Sequence, residues 1–202
     1  HKRNIGHLNL HRDFFRARSI NKMSLALAEI SEYVTINGLP WLLLAWVSIY
    51  IFRPLATIIH EFGHAIPAVI FTRQTVQIKV GAGQGSLHFS IQSIKIDISL
   101  KKMICGYTAF QNVNLSNCQL TLIYATGPIF SLMACTVALS LIYTIKFHIA
   151  LDALWVGWVC SNLLCLLRNV LPLQLQGPES DAVPSDGLQI IRIIRGRTPT
   201  ES

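Results

Sequence analysis

The segment 39–71 is almost wholly apolar, yet it contains a cluster of ionisable residues. Positions 60–64 hold the sequence His-Glu-Phe-Gly-His, a His-Glu-x-x-His pattern. On a helix, residues four apart project from one face, so His60 and His64 have the spacing that two imidazoles need to hold one Zn²⁺. Glu61 lies beside them and can serve as general base. Ionisable groups inside an apolar helix are costly unless they bind or pair with something, which favours a metal site.

The alternative is that both histidines are buried core residues and that Glu61 pairs with a nearby base. A chance match to the pattern is uncommon, on the order of one chain in a hundred or fewer, so we favour the metal site.

Composition is typical of a membrane protein. Of the 202 residues, 51% are hydrophobic and 13% are charged, whereas soluble domains average roughly 25% charged residues. As one helix, the segment 39–71 would be about 50 Å long, against a hydrocarbon core of about 30 Å. Two further apolar segments, 120–145 and 149–167, follow. The sequence therefore predicts a mainly α-helical, multi-pass integral membrane protein with three core transmembrane helices.

Arg53 and Pro54 interrupt the first apolar segment. Either one long helix is kinked at Pro54, or a second helix starts there and the segment is a hairpin. We favour the kinked helix. A lipid-facing Arg at the bilayer centre costs at least about 2.5 kcal/mol, so Arg53 is expected at an interface or in a polar cavity.

A small β-sheet insertion is predicted at residues 75–99. Apolar and polar residues alternate there in three runs, at 75–80, 87–92 and 94–99, and a period of two is typical of strands with one polar face. The glycine-rich residues 81–86 are expected to form a turn between two strands.

The charge of the residues before the first apolar segment indicates attraction to lipid. The net charge is +7, and residues 1–22 contain six Lys or Arg against one Asp. Nothing else resembles a nucleic-acid module, so we predict no nucleic-acid partner and attraction to the lipid bilayer. The predicted domains are a basic arm and amphipathic segment at 1–38, a membrane domain at 39–195 and a tail at 196–202.

A third metal ligand must come from elsewhere, since a catalytic zinc takes three protein ligands and keeps one open position. No histidine follows the motif at metzincin spacing. The acidic candidates beyond the apolar segments are Glu179, Asp181 and Asp186. Asp186 precedes Gly187, which lets the backbone approach another element closely.

Taken together, these motifs resemble those of the site-2 protease type intramembrane zinc metalloproteases. That family combines His-Glu-x-Gly-His with Asn-x-x-Pro and then Asp-Gly at the end of a later membrane helix. Here the second motif is Asn-Val-Leu-Pro at 169–172, followed by Asp186 and Gly187. Gly127-Pro128 is similar to the Gly-Pro of the intervening helix. The resemblance covers roughly residues 39–195.

The chain departs from the family pattern in one spacing. Thirteen residues, 173–185, separate Pro172 from Asp186, where many members have only a few. Residues 174–184 are expected to be a polar loop, followed by a short interfacial helix at 188–195.

The resemblance implies one Zn²⁺ held by His60, His64 and Asp186, with Asp181 as the reserve ligand. It implies that Glu61 is the catalytic base and that Asn169 contacts the substrate near the metal. The alternative role for Asn169 is a helix C-cap.

The implied activity is that of an intramembrane zinc endopeptidase, a metallopeptidase that hydrolyses peptide bonds of membrane-embedded or membrane-associated protein substrates. An exposed edge of the predicted sheet would hold the unwound substrate by strand addition. One alternative is a membrane zinc protease that cuts outside the bilayer with Glu179 as third ligand. Another is a metal-dependent membrane binding protein without catalysis.

Overall fold

The computed structural model describes residues 38–82, 87–99, 101–111, 115–145, 147–176 and 182–196. Nearly all of the predicted basic arm and tail, and most of the predicted turn at 81–86, lie outside the described residues. The chain divides between Leu43 and Leu44 into two units. The second unit contains the sheets, the later helices and the site, and of the first only the start of the first helix and the residue before it are described.

Three long helices dominate the described residues. They and one short helix are α1 (Leu39–Thr72), α2 (Asn117–Thr144), α3 (Ile149–Val170) and α4 (Asp186–Ile194). The three long helices are long and apolar enough to cross a membrane, as the sequence predicts. The short α4 overlaps the short helix predicted at 188–195.

α1 is one uninterrupted helix of 34 residues with both Pro54 and Pro67 inside it. The expectation of a single long helix is confirmed, and the hairpin alternative is wrong. A proline removes one backbone hydrogen bond, whereas ending one helix and starting another would leave up to four carbonyls and four N–H groups without partners. Continuing the helix through Pro54 therefore loses fewer backbone hydrogen bonds.

The later helices begin at side-chain caps. Ser116 accepts a hydrogen bond from the backbone N–H of Gln119, whose side chain accepts from Ser116 N in a capping box. His148 caps α3, and Ser185 caps α4 by accepting from the backbone N–H of Leu188. These caps fix the helix starts, and α2 begins three residues before its predicted apolar segment because Ser116 is its N-cap.

In the described residues the predicted sheet has four strands: β1 (Val76–Ala82), β2 (Leu87–Ile91), β3 (Ile94–Ile98) and β4 (Lys101–Ala109). Their order is β2-β3-β1-β4. β1 is parallel to β3 and antiparallel to β4, and β2 is antiparallel to β3. The first three match the alternating runs. β4 was not predicted, because its apolar residues do not alternate with polar ones.

One face of the sheet is buried with α1. Val76, Ile78 and Val80 of β1 are completely buried and form one cluster with Ala65 and Ala68 of α1. Burying each of these β1 side chains contributes roughly 1.5–3 kcal/mol. The sheet is thereby anchored to the part of α1 that directly follows the His-Glu-x-x-His motif.

The expected polar loop is partly a β-hairpin, with β5 (Gln174–Gln176) antiparallel to β6 (Ala182–Pro184). Its two ends are joined, because Leu173 N donates to Ser185 Oγ (3.1 Å) and Ser185 N donates to Leu173 O (2.9 Å). The thirteen residues between Pro172 and Asp186 thus include a short hairpin that brings the chain back to where it left α3. Asp186 follows immediately.

Candidate metal centre

His60 and His64 of α1 meet Asp186, the first residue of α4. Asp186 Oδ2 lies 3.0 Å from His60 Nε2 and 3.3 Å from His64 Nε2. The two Nε2 atoms are 3.2 Å apart. Both imidazoles are buried, and the Asp186 side chain is 13% exposed. Within the described part of the chain, these residues form the one group that could hold a metal ion.

The distances suit a tetrahedral ion. Ligand atoms bound to one Zn²⁺ at about 2.0–2.1 Å lie about 3.3 Å from one another. The three separations here, 3.0, 3.2 and 3.3 Å, are close to that value. Two imidazole nitrogens and one carboxylate oxygen are also a donor set that zinc commonly takes in catalytic sites.

Hydrogen-bond partners at the Nδ1 atoms of both imidazoles leave the lone pairs of the Nε2 atoms directed towards the cluster. His64 Nδ1 lies 2.7 Å from Ile123 O, and because a carbonyl only accepts, Nδ1 carries the proton. His64 Nε2 is then an unprotonated donor to a metal. His60 Nδ1 lies 3.1 Å from Ser131 Oγ, a hydroxyl that can accept the equivalent bond.

Asp186 is held in its ionised form. Burial acts to raise the pKa of this carboxyl, but when the imidazoles are protonated rather than bound to a metal, the charge of His64 and the hydrogen bonds with His60 and His64 outweigh burial. The pKa therefore lies below its usual value. A carboxyl must be deprotonated to bind a metal, so the surroundings of Asp186 suit that role.

Glycines let the elements come close enough to build the cluster. A Cβ added at Gly127 would lie 2.2 Å from His64 Nε2, and one at Gly63 would lie 2.6 Å from Thr126 O. At Gly187, an added Cβ would lie 2.0 Å from Val170 O. The close approach predicted at Gly187 is thus present, Gly63 allows a further one, and Gly127 lies against the imidazole itself.

Glu61 is buried beside the cluster but is outside the ligand group. Thr108 Oγ1 of β4 donates to Glu61 Oε2 at 2.8 Å and also lies 3.1 Å from the Glu61 carbonyl oxygen. A Cβ added at Gly106 would lie 3.1 Å from Glu61 Oε1. β4 therefore approaches α1 closely where it holds this carboxylate.

Asn169 and Arg53 line the same pocket as the cluster. Asn169 Nδ2 donates to Cys165 O (3.0 Å), and α3 continues beyond it to a C-cap at Leu171. The C-cap alternative for Asn169 is therefore wrong. Arg53 donates from Nη1 to Ser161 O at 3.1 Å. Its predicted place in a polar cavity is confirmed.

The other histidines in the described residues lie away from the cluster. His88 contacts Asp97 on the sheet, and His148 caps α3. Glu179 and Asp181, the alternative and the reserve third ligand, lie outside the described residues, as do His1, His7 and His11.

Sequence reasoning missed Ser131 and Thr108. Ser131 lies four residues after Gly127 and eight after Ile123, so all three are on one face of α2. Small residues at four-residue spacing in an apolar helix are a signal of close packing that could have identified Ser131. Thr108 gives no comparable signal, because its contact with Glu61 depends on the unpredicted strand β4.

No family model matches the chain, and no match was found among curated proteins or solved structures.

Proposed function

We propose that the chain is an intramembrane zinc endopeptidase of the site-2 protease type. It hydrolyses peptide bonds of membrane-embedded or membrane-associated protein substrates. The observation that carries the proposal is the meeting of His60, His64 and Asp186 at 3.0–3.3 Å with Glu61 beside them but outside the ligand group. Three ligands and one adjacent base are the parts that zinc-dependent hydrolysis requires.

The helices support a location in the bilayer. Three of them are long and apolar enough to span a membrane. The ligands His60 and His64 lie within one of these helices. Large apolar side chains on the long helices are exposed, among them Leu132 (52%) and Val137 (59%) of α2. Lipid is the environment in which such surfaces are stable.

His60, His64 and Asp186 would hold the zinc ion. When bound, the ion lowers the pKa of a water molecule towards neutrality and polarises the substrate carbonyl. Glu61 accepts the proton of the attacking water at Oε1 and passes it to the nitrogen of the leaving amine. Thr108 holds Oε2 and so keeps the carboxylate oriented through both transfers.

The substrate would be held by β4 and α3. β4 is an outer strand of the four-stranded sheet, and its residues 106–108 line the pocket. A substrate helix must unwind before its peptide bond is accessible, and an unwound segment can pair with the edge of β4 by strand addition. Asn169 lines the same pocket and would donate to the substrate near the scissile bond.

The experiment that tests this function is Glu61→Gln, measured by zinc content and by cleavage of a reconstituted transmembrane substrate. The variant should keep zinc and fold but lose cleavage, because Glu61 moves the proton and is not a ligand. A metal-dependent binding protein would keep its function in this variant. Loss of zinc would contradict the role given to Glu61.

The alternative protease, which cuts outside the bilayer, differs from the proposed one in its third ligand. Glu179→Gln should leave zinc content and cleavage intact, whereas Asp186→Asn should lower both. The reverse result would favour the protease that uses Glu179 and cuts outside the bilayer.

A further inference from the structure

Two guanidinium groups line the pocket together with the metal cluster. Arg53 belongs to α1 and Arg168 to α3, and both side chains are partly buried. Arg53 precedes His60 by seven residues, nearly two full helical turns, so both lie on one face of α1. The two positions are about 10 Å apart along the helix axis. The pocket therefore extends from the metal cluster at one end to the two arginine side chains at the other.

Arg53 has no anionic partner within the described residues. Among the described residues, its guanidinium donates one hydrogen bond, from Nη1 to Ser161 O, which uses one of five N–H donors. Arg168 lines the same pocket and brings a second positive charge to it. A charged side chain in an apolar helix is costly unless something compensates it, and an anion near both guanidiniums would do so.

We propose that Arg53, with Arg168 beside it, binds a carboxylate of the substrate. The proposal rests on the proposed endopeptidase function and names a feature of its substrates. A guanidinium presents two parallel N–H donors that match a carboxylate, whereas the uncharged amide of Gln or Asn cannot form the same charged pair. Arg53 is thus a specificity-determining residue of the pocket.

The spacing fixes where the carboxylate lies. About 10 Å along α1 corresponds to about three residues of extended chain at roughly 3.3 Å per residue. The bound group is therefore an Asp or Glu side chain about three residues from the scissile bond, or the C-terminal carboxylate of a short product or substrate at the same distance.

A binding experiment tests this without depending on turnover. The zinc-loaded Glu61→Gln chain, in nanodiscs of uncharged lipid, is titrated with fluorescent peptides of one common sequence. Single Glu-for-Gln replacements are scanned along the peptide, and each peptide is made with a free and with an amidated C-terminus. One Glu position should strengthen binding by about ten- to a hundredfold. If the terminal carboxylate is the ligand, the free-acid form should show that gain instead.

Arginine variants then show which side chain is responsible for the carboxylate preference. In the same background, Arg53→Gln should reduce the ratio of Glu to Gln affinity to near one, and Arg168→Gln should lower it. Arg53→Lys, which keeps the charge but not the paired donors, should retain part of it. Arg73→Gln is the matched control, since Arg73 is exposed just after α1 and does not line the pocket. It should keep the full ratio. Zinc content measured on each variant shows that the pocket is folded.

The outcomes separate this proposal from the function on which it rests. Absence of any carboxylate preference, or a preference that survives Arg53→Gln, overturns the subsite and leaves Arg53 as a link between α1 and α3. A preference that depends on Arg53, combined with no cleavage by the parent chain, overturns the endopeptidase function alone. Cleavage that is indifferent to Glu or Gln at every position, and also to a free or amidated C-terminus, overturns the subsite alone.

Discussion

Glu61 and Asp186 are two buried carboxylates in one pocket, and their neighbours give them different roles. Asp186 Oδ2 faces the Nε2 atoms of His60 and His64, whose own Nδ1 atoms are engaged elsewhere. Glu61 Oε2 instead accepts a hydrogen bond from Thr108. These surroundings support the proposed roles, ligand for Asp186 and base for Glu61, although both residues are carboxylates.

Thr108→Val should lower kcat/KM by about 10- to 100-fold while zinc content stays normal. Valine has nearly the shape of threonine but cannot donate to Glu61 Oε2, and a hydrogen bond to a charged group is worth about 1.5–3 kcal/mol. Thr136→Val is the control, because Thr136 is exposed and its hydroxyl donates to Leu132 O of its own helix, away from Glu61. Equal activities of the two variants would contradict the orienting role of Thr108.

Among the helices and strands, those marked by the periodicity or the length of an apolar pattern were predicted from the sequence. The three alternating runs became β1, β2 and β3, and the apolar segments became α1, α2 and α3, because burial along one element leaves a local pattern. The hairpin between Leu173 and Ser185 and the strand β4 depend on contacts between distant residues. No local pattern marks such contacts.

The candidate site likewise combines residues that are close in sequence with one that is distant. His60, Glu61 and His64 are adjacent in sequence, so their spacing was sufficient to propose a metal site. Asp186 was reached through the family resemblance. How it returns to the two histidines depends on the hydrogen bonds between Leu173 and Ser185, which the spacing in the sequence does not reveal.

Ser185→Ala should weaken zinc binding as well as stability. Ser185 Oγ caps α4 and also donates to Leu171 O at 2.6 Å, so it fixes the position of Asp186. Losing a cap costs about 1 kcal/mol. Ser116→Ala is the matched control, since it removes the cap of α2 and should lower thermal stability without changing zinc affinity. Unchanged zinc affinity in Ser185→Ala, measured by chelator competition, would show that the cap does not position Asp186.

For the whole molecule, the exposed apolar surface of the long helices is expected to face lipid. The chain should resist extraction from membranes by alkaline carbonate. A cysteine introduced at Val137 should stay unlabelled by a water-soluble maleimide until detergent is added, whereas one at the exposed Gln74, beyond the end of α1, should be labelled above the level of the parent chain. Recovery in the carbonate supernatant, or equal labelling at both positions, would contradict a transmembrane arrangement.

The most direct test is the zinc content of the purified chain with and without the Asp186 carboxylate. The parent chain should hold one zinc ion. Asp186→Ala should lose affinity by more than the roughly 10- to 100-fold that accompanies removal of an outer-shell partner, because it removes a ligand. Asp181→Ala and Glu179→Ala should keep the ion. Normal zinc stoichiometry and affinity in Asp186→Ala would contradict the three-ligand centre.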